Sequence, residues 1–211
     1  MPHGKRIAEL LIDIGAVKLS LDPPFTWTSG IKSPIYCDNR MIYSHPAARN
    51  VVVDALVNRV KSLHIPADVI AGTATAAIGW AALVADRLSL PFVYVRSNPK
   101  DHGMKKRIEG QLMPAKQVVV IEDLLSTGGS AVSTIDALRE EGKCFVADVV
   151  SIFTYEFLSC TENAQRAGVH VHPLCAITTL LEVAVEQGRI TEEQRDSVVA
   201  FVREPERLGK V

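Results

Sequence analysis

Short apolar, β-branched runs alternate with helix-period segments along most of this 211-residue chain, and that alternation restricts its fold more than any other feature. ADVIAG leads into a helix through Leu88, and FVYVR follows. QVVVIED leads into a helix through Glu141, FVADVVSIFT into a helix toward Ala167, and VHVHPL closes the series. A strand that returns parallel to its predecessor needs a crossover, so the pattern predicts βαβ units around a parallel sheet with right-handed connections. Ligands of such sheets bind beyond the carboxyl ends of the strands, which directs attention to the residues just after each run.

Two helical segments, His3 to Val17 and His45 to Leu63, precede the first of these strands and enclose an irregular stretch, PPFTWTSGIKSPIYCDNR. After the last strand come ITTLLEVAVEQG and an amphipathic helix from Glu192 to Val202. Thr191 followed by Glu192 and Glu193 is an N-terminal cap with acids in the first turn. No repeat or low-complexity linker divides the chain, and 47% hydrophobic residues suffice for a full core. One domain over 1–211 is therefore expected, with N-terminal helices and the irregular segment in 1–64, a core in 65–175 and C-terminal helices in 176–211.

A net charge of -1 provides no global field for a polyanion, so nucleic acid is not an expected partner. The uncharged stretch Val69 to Ala85 falls short of the roughly 20 apolar residues of a membrane span, and Gly72, Thr73, Thr75 and Gly79 dilute it. Glu9 and Asp13 interrupt the N-terminal apolar stripe, which marks an amphipathic helix rather than a signal peptide. Cys37, Cys144, Cys160 and Cys175 form no C-x-x-C pair, so reduced thiols are expected and zinc is not. These features together describe a soluble cytoplasmic protein with no membrane partner.

Residues 118–142, VVVIEDLLSTGGSAVSTIDALREEG, carry the clearest chemistry. Val118 to Ile121 read as a buried strand, Glu122 and Asp123 stand at its end, and a helix is expected to begin near Ala131. Between them Ser126, Thr127, Gly128, Gly129 and Ser130 make a small-residue turn. Glycines let the backbone approach an anion, hydroxyls donate to it, and the helix N-terminus adds unpaired N–H groups and a positive dipole end. A monophosphate fits that cradle. The carboxylates would repel the same phosphate, so their natural partners are hydroxyls, such as the vicinal pair of a ribose ring. The segment thus describes a ribose 5-phosphate site. It lacks the G-K-[ST] lysine of a Walker loop and the G-x-G-x-x-G dinucleotide spacing.

Two further segments invite a functional reading beside a plainer one. SNPKDHGMKKRIEGQLMPAK shows no apolar periodicity, and Arg96 to Gly110 holds five basic residues against two acidic ones. Such a stretch is either a solvated surface loop or a cover over a highly charged leaving group, which needs cations and exclusion of water. AGTATAAIG, Ala71 to Gly79, suits close backbone approach to pyrophosphate, although small residues at a strand–helix turn more often serve packing. His170 and His172 share one face of a strand without a visible third ligand, which argues against a metal pair. His45 beside Pro46 reads as a helix-start residue, and His3 and His64 as surface positions.

Residues 118–142 resemble the PRPP-binding motif of type I phosphoribosyltransferases. R-S-N-P-K-D-H-G, from Arg96 to Gly103, is similar to the catalytic loop of the orotate phosphoribosyltransferases, and FTWTSGIKSPIY resembles their N-terminal hood motif, F-T-x-x-S-G-x-K-S-P-x-Y. The resemblance implies the type I phosphoribosyltransferase fold, an α/β central parallel sheet flanked by helices with a small N-terminal hood. It implies transfer of the phosphoribosyl group of PRPP to orotate, in pyrimidine (UMP) biosynthesis. Arg96, Lys100 and His102 are then the catalytic residues that engage pyrophosphate, and Glu122, Asp123, Leu124, Leu125, Ser126, Thr127, Gly128, Gly129 and Ser130 hold PRPP with Thr73, Ala74 and Thr75. Orotate would meet Tyr36, Cys37, Ser126 and Thr154. Mg²⁺ is implied, bound mainly through PRPP rather than by protein ligands. A homodimer in which the basic loop acts in trans is also implied. Three positions depart from many relatives: Ser97 and Thr28 replace lysines, and Thr154 stands near an expected arginine. Another type I phosphoribosyltransferase, or a PRPP-sensing regulator, is the alternative reading.

Overall fold

The computed structural model of the protein describes residues 2–20, 23–26, 32–98 and 106–205. Helix α1 (Pro2–Asp13) is followed by four short strands, β1 (Val17–Leu19), β2 (Phe25–Thr26), β3 (Lys32–Ser33) and β4 (Ile35–Cys37). These pair antiparallel as β1 with β4 and β2 with β3, forming two small ribbons. A 3₁₀ turn over Asn39–Ser44 leads into α2 (Pro46–Lys61). Then come β5 (Val69–Thr73), α3 (Ile78–Leu88), β6 (Phe92–Val95), β7 (Ile108–Glu109) and β8 (Gln117–Leu125). The chain continues through α4 (Gly129–Glu140), β9 (Phe145–Thr154), α5 (Leu158–Ala167), β10 (His170–Ala176), α6 (Ile177–Glu186) and α7 (Glu192–Arg203).

Six strands make the central sheet in the order β10-β9-β8-β5-β6-β7, parallel except for β7 at one edge. Period-2 alternation along the strands sends side chains into two separate cores. Ile70, Val119, Ile121, Val150 and Ile152 face a core shared with α1, α2, α3, α6 and α7. Val69, Ala71, Val93, Val118, Val120 and Val149 face a second core covered by α4 and α5. Both faces are buried, which is why these strands read as continuous apolar runs rather than alternating ones. From β5 the chain runs through α3 to β6 on one side, then returns to place β8 on the other side of β5. The carboxyl ends of β5 and β8 therefore lie side by side where the winding reverses, the place where open α/β sheets bind ligands.

The α/β class and its parallel sheet match expectation, while several boundaries differ. Helix α1 stops at Asp13, and Val17, expected in the helix, starts β1 opposite Cys37. Gly15, at φ 70°, turns the chain out of the helix. Strand β8 does not end at Ile121 but runs to Leu125, because β9 continues beside it and pairs Glu122 with Ser151 and Leu125 with Thr154. Helix α4 begins at Gly129, two residues before Ala131, since Gly128 takes the left-handed conformation that sets the first turn. The stretch after β6 is not wholly irregular: Ile108 and Glu109 return to the sheet edge and pair with Val95 and Tyr94. Proline at the first position of α2 fits its start, where His45 is the cap residue without a side-chain cap bond. Among the described residues no helix is long and apolar enough to cross a membrane.

Candidate active site

The acidic pair sits inside the sheet rather than at its rim. Glu122 is only 4% exposed, and burial, with the neighbouring Asp123 charge adding to it, pushes its carboxyl up to about 8. The Thr73 hydroxyl opposes part of that shift, though it forms no hydrogen bond of full geometry. Burial lifts Asp123 to about 6, opposed by backbone N–H groups and by the positive charge of Arg40. Two adjacent carboxyls raised by burial at the end of a strand make this a candidate site.

Beyond β8 the turn delivers what its composition promises. Gly128, at φ 78°, stands at the N-cap of α4, and a Cβ there would lie 3.2 Å from Cys160 Sγ. A side chain at this position meets both left-handed strain and a packed neighbour. Ser126 is half-buried, while Thr127, Gly129 and Ser130 are exposed. Asn163 of α5 donates to the Thr127 carbonyl at 2.7 Å and holds the turn from behind. Helix α4 has no side-chain cap at Gly128, which suits an anion at its N-terminus. Leu125 packs in the second core and its carbonyl accepts from the Tyr155 N–H at 2.9 Å. Leu124 packs against the first core, so these two residues can offer the site backbone rather than side chains.

At the neighbouring end of β5, Thr73 is buried and the Ala74–Thr75 peptide is cis. The Ala74 N–H is already given to the Val95 carbonyl at 2.9 Å. Tyr43 braces this turn: its hydroxyl donates to the Ala76 carbonyl at 2.8 Å and accepts from the Trp80 N–H at 3.1 Å, and its ring stacks on Trp80 at 4.4 Å. Between the two strand ends lies a cavity of about 270 Å³, lined among others by Thr73, Ala74, Ser97, Arg107, Ser130 and Ser133. The larger concavity, about 620 Å³ beside β10 and α6, is lined by His172 but by none of the residues assigned to PRPP or orotate.

The hood segment reaches the acidic pair through the Asn39 side chain and the charge of Arg40. Asn39, 1% exposed, donates from Nδ2 to the Asp123 carbonyl at 2.7 Å. The Cys37 N–H donates to the Tyr155 hydroxyl at 3.0 Å, and Cys37 Sγ donates to Asn39 Oδ1 at 3.3 Å. Cys37 is thus built into the core, with burial raising its thiol far above the ordinary range. Tyr36 is exposed, and Arg40 pairs with Asp38 at 2.6 Å while approaching the Tyr36 hydroxyl at 3.5 Å. Thr154 is buried, and its Oγ1 accepts from the Glu156 N–H at 3.1 Å.

Sheet and hood together bring Glu122, Asp123, Ser126 to Ser130, Thr73 to Thr75 and the 36–40 segment to one end of the β5–β8 boundary. Arg96 stands at the end of β6 and pairs with Glu109 at 3.6 Å. Lys100 and His102, and Trp27 to Gly30 of the hood motif, lie outside the described residues. Asn39, Tyr43, Tyr155 and Ser133 escaped the sequence reading, because their roles depend on partners distant in the chain, and Arg107 entered it only as one of the five basic residues of the 96–110 stretch. A buried amide such as Asn39 leaves no period or spacing to find. His172 uses Nε2 on Asp148 at 2.7 Å, and among the described residues no three His, Cys, Asp or Glu side chains are placed to hold a metal ion.

Comparison with known proteins adds independent findings. Residues 38–167 match the family described as "Phosphoribosyl transferase domain". The chain is 42% identical over 206 residues to the orotate phosphoribosyltransferase of Coxiella burnetii, covering 98% of each chain. It is 47% identical over 201 residues to that of Bacillus mycoides, covering 95% of each. Among solved structures, the orotate phosphoribosyltransferase of Aeropyrum pernix superposes with a TM-score of 0.75 at 30% identity, over 87% of this chain and 99% of that one.

Proposed function

The chain belongs to the orotate phosphoribosyltransferase family, and from that premise we propose that it transfers the 5-phosphoribosyl group of PRPP to orotate, releasing orotidine 5′-monophosphate and pyrophosphate. One observation carries the reading: the buried acidic pair and hydroxyl-glycine turn after β8 stand beside the small-residue turn after β5, at the sheet's winding reversal. A ribose phosphate bearing a diphosphate spans two such turns.

On this reading the 5-phosphate rests on Ser126 to Ser130 at the α4 N-terminus, and the ribose hydroxyls donate to Glu122 and Asp123. Ionised carboxylates accept these bonds most strongly, and the hydroxyls supply partners that favour the charged form against burial. The diphosphate lies toward Thr73, Ala74 and Thr75. As the bond from the ribose C1 to the diphosphate breaks, negative charge grows on the leaving group, and Arg96, Lys100 and His102 offset it. A nitrogen of orotate then bonds to C1 from the opposite face. Positioning and electrostatics supply the acceleration, with no covalent enzyme intermediate. Ser126, Tyr36, Cys37 and Thr154 surround the orotate. Cys37 Sγ and its N–H already have partners, so its share is shape and the fixing of Tyr36.

Mg²⁺ prefers oxygen ligands and keeps several waters beside phosphates, which suits the oxygen-rich substrate. When bound, the metal adds positive charge to the diphosphate, held mainly by PRPP's own oxygens. The enzyme acts in the cytoplasm, in pyrimidine biosynthesis, as a homodimer whose basic loop serves the neighbouring site. The test is the ultraviolet absorbance of orotate with purified protein, PRPP and Mg²⁺, with hypoxanthine, adenine and uracil in parallel. Loss of the orotate signal that needs both PRPP and metal is expected. Turnover of another base instead, or of none while PRPP still binds, would overturn the assignment.

A further inference from the structure

Arg107 lies outside the loop motif that resembles the family, which ends at Gly103, yet the fold turns it into the phosphate cavity. The cavity between the β5 and β8 turns is lined by five hydroxyl-bearing residues, Thr73, Ser97, Ser130, Ser133 and Thr134, and among the described residues Arg107 is the charged side chain on its wall. Among the described residues no carboxylate lines it. A pocket of hydroxyls with one guanidinium and no acid attracts an anion.

The guanidinium is held in place by neutral acceptors. Nε donates to the Arg96 carbonyl at 2.9 Å, and a terminal nitrogen donates to Ser133 Oγ at 2.9 Å. The main chain adds two more ties: the Arg96 N–H donates to the Arg107 carbonyl at 3.0 Å, and the Arg107 N–H to Glu141 Oε2 at 3.0 Å. A guanidinium has five N–H donors, so the two recorded side-chain bonds leave three for a ligand. Among the described residues its side chain meets no carboxylate, whereas Arg96 is drawn to Glu109 at 3.6 Å. Among the described residues the cation of this wall without a carboxylate partner is therefore Arg107.

We propose that Arg107 is a further substrate-binding residue, whose guanidinium takes phosphate oxygens of PRPP in this cavity while its Nε keeps hold of the Arg96 carbonyl. The inference rests on the PRPP reading of the site and goes beyond it by naming a residue that the family motif does not include. A fixed cation joined to Arg96 also sets where the β6 end stands relative to the phosphates. Because the planar fork is already oriented by Arg96 and Ser133, little rotamer freedom is lost on binding.

Glutamine and lysine separate this role from a purely structural one. Glutamine keeps a donor for the neutral acceptors but loses the charge; lysine keeps the charge but cannot reproduce the fork. Calorimetric titration of the wild type, R107Q and R107K with PRPP, pyrophosphate and ribose 5-phosphate reads the difference, with circular dichroism confirming the fold. R107Q is expected to weaken PRPP roughly 10-fold or more, the effect of one charge-assisted hydrogen bond, and R107K to recover most of it. Loss confined to pyrophosphate or to ribose 5-phosphate identifies which phosphate the residue takes, and either supports the proposal. R107Q binding all three within about twofold of the wild type, or R107K falling as far as R107Q, overturns it. Should R107Q not fold, the Arg107 Nε–H resonance of the wild type, assigned by its loss in R107K, must shift on titration with one of the phosphates; no shift overturns the proposal. Wild-type protein that fails to bind PRPP removes the underlying reading itself, and PRPP binding that ignores Arg107 removes only this inference.

Discussion

Glu122 carries the sharpest conflict between stability and use in the molecule. Its folded carboxyl is raised to about 8 from an ordinary value of 4.5, so between those values the folded chain keeps a proton that the unfolded chain releases. Stability is therefore fully present below the ordinary value and declines as pH rises toward 8. Glu122→Gln removes that decline. The variant should melt on the order of 2–4 °C above the wild type at pH 8, with the gain shrinking toward pH 5. A gain that is the same at both pH values would show that the carboxyl does not titrate across this window. PRPP hydroxyls should reverse the wild-type penalty, since they stabilise the ionised form. Lys100 belongs to the same scale, although it lies outside the described residues. Its target charge grows only in the transition state, so Lys100→Ala should lower kcat roughly 100-fold while orotate binding changes little. A rise in KM with kcat intact would refute that role.

At the scale of elements, the hydroxyl-glycine turn after β8 and the C-terminal helix make opposite predictions. Alanine at Gly128 would sit at φ 78° with its Cβ 3.2 Å from Cys160 Sγ. Gly128→Ala should cost about 1–2 kcal/mol in denaturant unfolding, and should weaken PRPP because relief of the strain moves the turn. Unchanged stability with unchanged PRPP affinity would mean the turn tolerates a side chain. Helix α7 is capped by its own residues, none of them assigned to the site: Gln194 N–H donates to Thr191 Oγ1 at 3.2 Å, and the Thr191 N–H donates to Gln194 Oε1 at 2.9 Å. Thr191→Ala should cost about 1 kcal/mol and leave kcat/KM alone; a loss of activity would tie α7 to the site. Both elements were visible in the chain, the cap from Thr191-Glu192-Glu193 and the turn from its glycines and hydroxyls. Their limits were less visible. Strand β8 outran its expected end because β9 supplied a longer partner, and α4 started early because one glycine took a left-handed conformation.

For the whole molecule the open arrangement is the assembly. Inactive Arg96→Ala and Asp123→Ala proteins should regain activity when mixed and allowed to exchange subunits. A loop acting in trans leaves one of the two sites of a mixed dimer with an intact loop and an intact acidic pair. Recovery approaching about a quarter of the wild-type rate is the arithmetic limit of random exchange; no recovery after demonstrated exchange would put loop and acidic pair in the same subunit's site.

The α/β class, the order of strands and helices, the hydroxyl-glycine turn and the acidic pair could all be read from the chain, because period, glycine placement and adjacent charge are local properties. Location was not local. Nothing in the chain says that β8 inserts beside β5 on the side away from β6, and that insertion joins the two turns into one site. Nor does spacing reveal that Asn39 meets Asp123, that Tyr43 braces the turn after β5, or that Arg107 folds back onto Ser133. Each of these bonds links residues many positions apart. Their partners are chosen by which strand edges pair and which faces bury, and only the packed structure settles that.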